Sequence, residues 1–99
     1  MEKIVVKVDS EIKELIPGFI ENRHQDIDIL RTFVVKEDFK SIKILGHSMK
    51  GFGAGYGFYE ISDIGKLLEK YADQRDVREI INLIDKLVEY LRRIEIVYV

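Results

Sequence analysis

Ile42-Lys43-Ile44-Leu45-Gly46-His47-Ser48-Met49-Lys50-Gly51-Phe52-Gly53-Ala54-Gly55-Tyr56-Gly57-Phe58 is the stretch from which the fold can be read. Ile42, Leu45, Met49 and Phe52 recur at the spacing of one buried helix face. His47 falls off that face, in the company of Ile44, Lys50, Gly51 and Ala54 at helical neighbour positions. The histidine should therefore project outward, with a cation one turn away and no side chain at Gly51 to cover it. Such a geometry suits an imidazole that receives and hands on an anionic group. The glycines from 51 to 57 weaken an isolated helix by up to about 1 kcal/mol each against alanine. Two uses would explain them: close approach of another backbone, or room for a partner beside His47.

Outward from this helix, expected over 37–55, the same rhythm recurs. Downstream, Ile61, Ile64, Leu68 and Tyr71 predict a helix over 59–73. Asp73-Gln74-Arg75-Asp76 is a polar turn whose last residue can cap a helix over 76–94. That helix carries a stripe of Val77, Ile80, Ile81, Ile84, Leu87, Val88, Leu91 and Ile94. Upstream, Phe19, Ile20, Ile27, Leu30 and Val34 predict a helix over 17–35 that opens on Pro17. A short helix over 9–15 precedes it, with Asp9-Ser10 as its cap. The two ends, Ile4-Val5-Val6 and Ile96-Val97-Tyr98-Val99, are β-branched and aromatic. The expected fold is all-α: one domain over 1–99, an antiparallel four-helix bundle with a short N-terminal helix. An even number of helices returns both termini to one end, where the two tails can meet as a small antiparallel β pair.

Composition narrows the function classes. The chain has 99 residues, no cysteine, one proline and a net charge of −2. Disulfides and thiolate metal sites are excluded, and two histidines make a poor metal site. Charges of both signs are spread along the chain, unlike the basic footprint of a nucleic-acid binder. Lys50-Gly51-Phe52-Gly53 matches the start of an RNA-recognition signature, but Ala54 and Gly55 replace the residues its strand needs. The glycine run fits neither a P-loop nor a dinucleotide fingerprint. No apolar run approaches a membrane span, and the N-terminal residues are too few and too charged for a signal peptide. A cytoplasmic protein is expected, and an initiating Met1 fits a free-standing one.

Gly46-His47-Ser48-Met49-Lys50-Gly51, with Gly57 at the later glycine, resembles the phosphoacceptor signature of histidine-containing phosphotransfer domains. Leu67-Leu68-Glu69 is similar to the element on that family's next helix, and Leu15 to Arg23 looks like its leading helix. The resemblance runs from about residue 9 to 94. It implies a phosphorelay intermediate of two-component signalling, with His47 phosphorylated on a ring nitrogen. It implies supporting roles for Lys50 as a point cation, Gly51 as space for an incoming loop, and Glu69 as acceptor of the Nδ1 proton. Such domains are carriers and not enzymes. They use no cofactor of their own, and the aspartate and divalent metal belong to a partner receiver domain or kinase. The partner footprint is expected over Lys43, Ile44, His47, Lys50, Gly51 and Ala54, without nucleic acid or membrane. A rival reading is a four-helix adaptor that keeps the fold without the relay. His24 is expected to be an ordinary surface residue, and Met49 and Phe52 plain core.

Overall fold

The computed structural model of the protein describes residues 2–99; Met1 lies outside the described residues. Strand β1 (Ile4–Val8) leads through a 3-10 helix (Ser10–Leu15) into α1 (Ile16–Val35). Helices α2 (Phe39–Gly55), α3 (Tyr59–Asp73) and α4 (Val77–Arg93) follow, and β2 (Ile94–Tyr98) closes the chain. The fold is thus mostly helical, with a small sheet made from the two termini.

Local chemistry sets the boundaries. Pro17 lies in the first turn of α1, where its missing N–H is no loss. The Asp38 carboxylate accepts from the Ser41 N–H at 3.1 Å and the Ser41 hydroxyl at 2.7 Å, so α2 starts at Phe39 and not at 37. Asp76 likewise accepts from the Glu79 N–H at 3.2 Å and starts α4 at Val77. The three connections between helices share one device: a residue with positive φ immediately before the N-cap. Glu37 (52°) precedes Asp38, Gly57 (89°) precedes Phe58, and Arg75 (53°) precedes Asp76. Only the second uses glycine. Glu37 and Arg75 hold the left-handed conformation at a cost on the order of 1 kcal/mol each, which the helices on both sides impose.

The core is where the apolar periodicity predicts it. Leu30 from α1, Ile42 and Met49 from α2, Ile61 and Leu68 from α3, and Ile80 and Leu87 from α4 are fully buried, as is Phe58 between α2 and α3. On α4 the stripe is rotated slightly from expectation. Ile81 is 44% exposed, while Leu83 and Tyr90 are buried instead. Desolvation of the Tyr90 hydroxyl, followed by the nearby Glu60 carboxylate, pushes its pKa up to about 12.

The tails pair, but not as expected. β1 and β2 are parallel, in the register Ile4↔Ile94 through Val8↔Tyr98. The antiparallel expectation treats β1 as a straight lead into α1. In fact Asp9 and the 3-10 helix reorient the chain between β1 and α1, with the Ser10 N–H donating to the Val99 carbonyl at 3.0 Å. β2 instead continues from α4 without a break, Ile94 being already extended. A parallel pair needs a long crossover, and here the whole helical body between the strands is that crossover. Val6 and Val8 face inward and anchor the sheet to the helices.

Candidate functional site

The site is built on the seam between α2 and α3, and glycine makes that seam. A Cβ on Gly46 would stand 2.7 Å from the Gly65 carbonyl oxygen and 3.1 Å from the Glu69 nitrogen. A Cβ on Gly65 would stand 2.5 Å from both the Gly46 oxygen and the Lys50 nitrogen. Further along α2, a Cβ on Gly53 would meet the Ser62 nitrogen at 2.6 Å. No side chain fits between the helices at these points, so their backbones lie almost in contact. The Ser62 hydroxyl crosses the same seam and donates to the Lys50 carbonyl at 2.7 Å.

This approach puts α3 beside His47. The imidazole projects outward with its side chain 74% exposed, and its Nδ1 lies 3.3 Å from both carboxylate oxygens of Glu69. The Glu69 side chain is only 23% exposed, so the carboxylate is held against the protein while the ring reaches into solvent. A carboxylate only accepts. Nδ1 therefore carries the proton in this pairing, and in that tautomer the lone pair is on Nε2. Glu69 takes this partner in preference to Lys66, Lys70 or Arg75, which the sequence offers equally.

Ile44, Lys50, Gly51 and Ala54 are exposed on the same side of α2 as His47. Nothing comes within 4 Å of where a Gly51 Cβ would be, so that glycine borders open space while Gly53 serves packing. Among the described residues the Lys50 ammonium forms no ion pair. Lys43 does: its Nζ is 2.8 Å from Asp73 Oδ1 on α3. The hydrogen bond and charge of Asp73 hold the Lys43 ammonium above its ordinary pKa. Ile44 is 59% exposed, and with Ile29, Phe33, Leu45 and Ser48 it lines a groove of about 260 Å³ between α1 and α2. No cluster of three or more metal-ligating side chains occurs among the described residues. No described helix is long and apolar enough to cross a membrane. His24 is exposed.

Two features escape a reading of the sequence. Gly46 and Gly65 give a usable signal, because isolated glycines inside helical patterns point to close packing. The second gives almost none: Arg23 and Asp26 on α1 are both 7% exposed, joined by an Arg23 Nε–Asp26 Oδ2 hydrogen bond of 2.8 Å. Desolvation raises the Asp26 pKa, against the opposing charge and hydrogen bond of Arg23.

Comparison with protein families, with characterised proteins and with solved structures finds no match for this chain.

Proposed function

We propose that the protein is a phosphocarrier of two-component signalling that accepts a phosphoryl group on His47 Nε2 and exchanges it with the aspartate of a receiver domain. The observation that carries this reading is the pairing of an exposed imidazole, through Nδ1, with a carboxylate held on the next helix. In the step itself, the Nε2 lone pair forms the N–P bond as the P–O bond of the partner's aspartyl phosphate breaks. The bonding electrons leave on the aspartate carboxylate. The Nδ1 proton stays with the ring, and Glu69 offsets the positive charge that develops there. Lys50, one turn on and without a competing ion pair among the described residues, offsets charge on the phosphoryl oxygens.

The receiver supplies the aspartate and a divalent metal, so this chain alone is not an enzyme. Gly51 and Ala54 leave room beside the ring for the receiver's loop. The groove at Ile44 is the apolar part of the docking surface, since an exposed apolar patch next to a reactive polar group suits an interaction site. Lys43 adds a charge at its edge. The three-residue connections between consecutive helices support an up-and-down antiparallel bundle as the frame. The expected setting is the cytoplasm.

Incubation with a phosphorylated receiver domain tests the reading. Wild-type protein should acquire acid-labile, base-stable phosphate, and His47→Gln should fold normally and acquire none. Phosphate retained in that variant, on His24 for example, rejects the assignment. Lys50→Ala should slow transfer more than Glu69→Ala, because the first removes the charge beside the phosphoryl oxygens and the second a charge that acts through the far side of the ring. Ile44→Glu should weaken docking with an unchanged melting temperature.

A further inference from the structure

α1 and α2 flank a cavity of about 400 Å³, lined among others by Gly18, Phe19, Asn22, Arg23, Phe52 and Tyr56. One wall is the guanidinium of Arg23, whose side chain is more than nine-tenths buried. Its Nε is committed to Asp26. The Phe19 and Phe52 rings lie against it, with centroids 4.6 and 3.9 Å from the central guanidinium carbon. Among the described residues the two terminal nitrogens have no acceptor. No described side-chain nitrogen or oxygen is both fully buried and unpartnered. The terminal nitrogens therefore open onto the cavity that Arg23 lines.

We propose that this cavity binds a small organic carboxylate with an apolar body. A guanidinium edge with two parallel N–H donors matches a carboxylate in bidentate geometry. Water reaches these donors in the open cavity, so a carboxylate gains by replacing it with two charge-assisted hydrogen bonds in one fixed geometry. The volume is within the range of small-molecule sites, and Phe19, Phe52 and Tyr56 supply an aromatic lining for the rest of the ligand. Asp26 balances the Arg23 charge, so the site selects hydrogen-bonding geometry more than net negative charge. Asn22 adds an amide at the wall. The site is independent of His47. Tyr56 lies nine positions further along the chain, which at about 100° per residue is the opposite side of the α2 axis.

Benzoate is the probe, titrated into the full chain with nitrogen-resolved NMR of the Arg23 Nε–H and the Gly18 and Asn22 amides. Saturable shifts at all three are expected, with neutral benzamide binding about tenfold or more weakly. Acetate should also be weaker, for want of an apolar body, and inorganic phosphate likewise. Gly18→Leu is the decisive variant. A Cβ at Gly18 meets nothing within 4 Å, so the fold should tolerate the change while the side chain obstructs the cavity. It should weaken benzoate about tenfold or more with an unchanged or raised melting temperature. Arg23→Lys, which keeps the charge and loses the fork, should do the same. The proposal is overturned if benzamide binds as well as benzoate, if phosphate binds more tightly, if the Arg23 signal does not saturate, or if folded Gly18→Leu binds like the wild type.

Discussion

Helix α2 has two flanks of opposite character. Toward α3 it offers glycine: Gly46 and Gly53 meet the backbone of α3 and its approach directly, and Gly65 answers from the other side. Toward α1 it offers Phe52 and, at its C-cap, Tyr56, which pack with Phe19 at centroid distances of 5.6 and 4.6 Å around a cavity and a buried arginine. The glycine flank leaves no free volume and fixes the distance between two backbones. The aromatic flank fills space with large side chains and leaves some of it open. The His47–Glu69 pair is on the fixed flank. Glu69 reaches His47 because the α3 backbone is next to Gly46, so the seam sets where the carboxylate stands. A carboxylate placed by backbone contact needs no ligand to position it, which suits the orienting role proposed for Glu69.

The contrast is broken most sharply at Gly65. In Gly65→Val the new Cβ would meet backbone atoms at 2.5 Å, and backbone cannot rotate away. The helices must separate, and the expected loss is about 3 kcal/mol or more in denaturant unfolding. The His47 Nδ1–H resonance should also lose the signature of its carboxylate partner. A loss under about 1 kcal/mol would mean that the seam is not rigid. Phe52→Leu tests the other flank. It removes the ring against Arg23 but keeps apolar volume beside an existing cavity, so the expected loss is about 1 kcal/mol. The Glu69–His47 signature should then persist.

These flanks differ also in how well they can be read from the chain. The four helices and most of their buried faces follow from apolar spacing, and the start of α4 from the capping aspartate Asp76, because both act within a few residues. His47 pointing outward, and Ile44 exposed beside it, follow from the same spacing. The partner of Gly65 cannot be read locally: its role depends on which helix crosses α2 and at what height, and nearby residues do not encode that. Arg23 and Asp26 look like surface charges three residues apart. Arg23 is buried with the Phe19 and Phe52 rings against its guanidinium, and Phe52 comes from another helix, a tertiary fact. The strand direction fails for a related reason. One short 3-10 helix redirects the tail, and its effect depends on geometry and not on residue type.

Gly51→Ala sharpens the comparison by changing the sign of the effect within one residue type. Gly51 is inside α2 like Gly46, yet no atom lies within 4 Å of its would-be Cβ. The substitution should stabilise the protein by up to about 1 kcal/mol, through helix propensity alone. Chemical denaturation reads this directly. A net loss would show that the open space at Gly51 closes in solution.

The smallest effect belongs to pH and returns to the aromatic flank. Burial raises the Asp26 pKa above its ordinary value of 3.8, and Arg23 only partly opposes this. The folded protein therefore binds the Asp26 proton more tightly than the unfolded chain does. In the window that begins near 3.8 and extends up to the raised value, the native state holds more protons, so stability contributed by Asp26 falls as pH rises. Asp38 has the opposite sense: its hydrogen bonds from Ser41 lower its pKa, and its contribution is lost as pH falls. The two partly cancel in the wild type. Asp26→Asn separates them, since the introduced amide oxygen can still accept from Arg23 but the group does not titrate. Subtracting the variant's stability profile from that of the wild type should leave a curve that declines with pH across that window and is flat near neutrality. A difference curve that rises with pH would mean that Arg23 dominates the Asp26 environment. The aromatic flank would then be a tight ion pair, without the desolvated, loosely filled space that distinguishes it from the glycine seam.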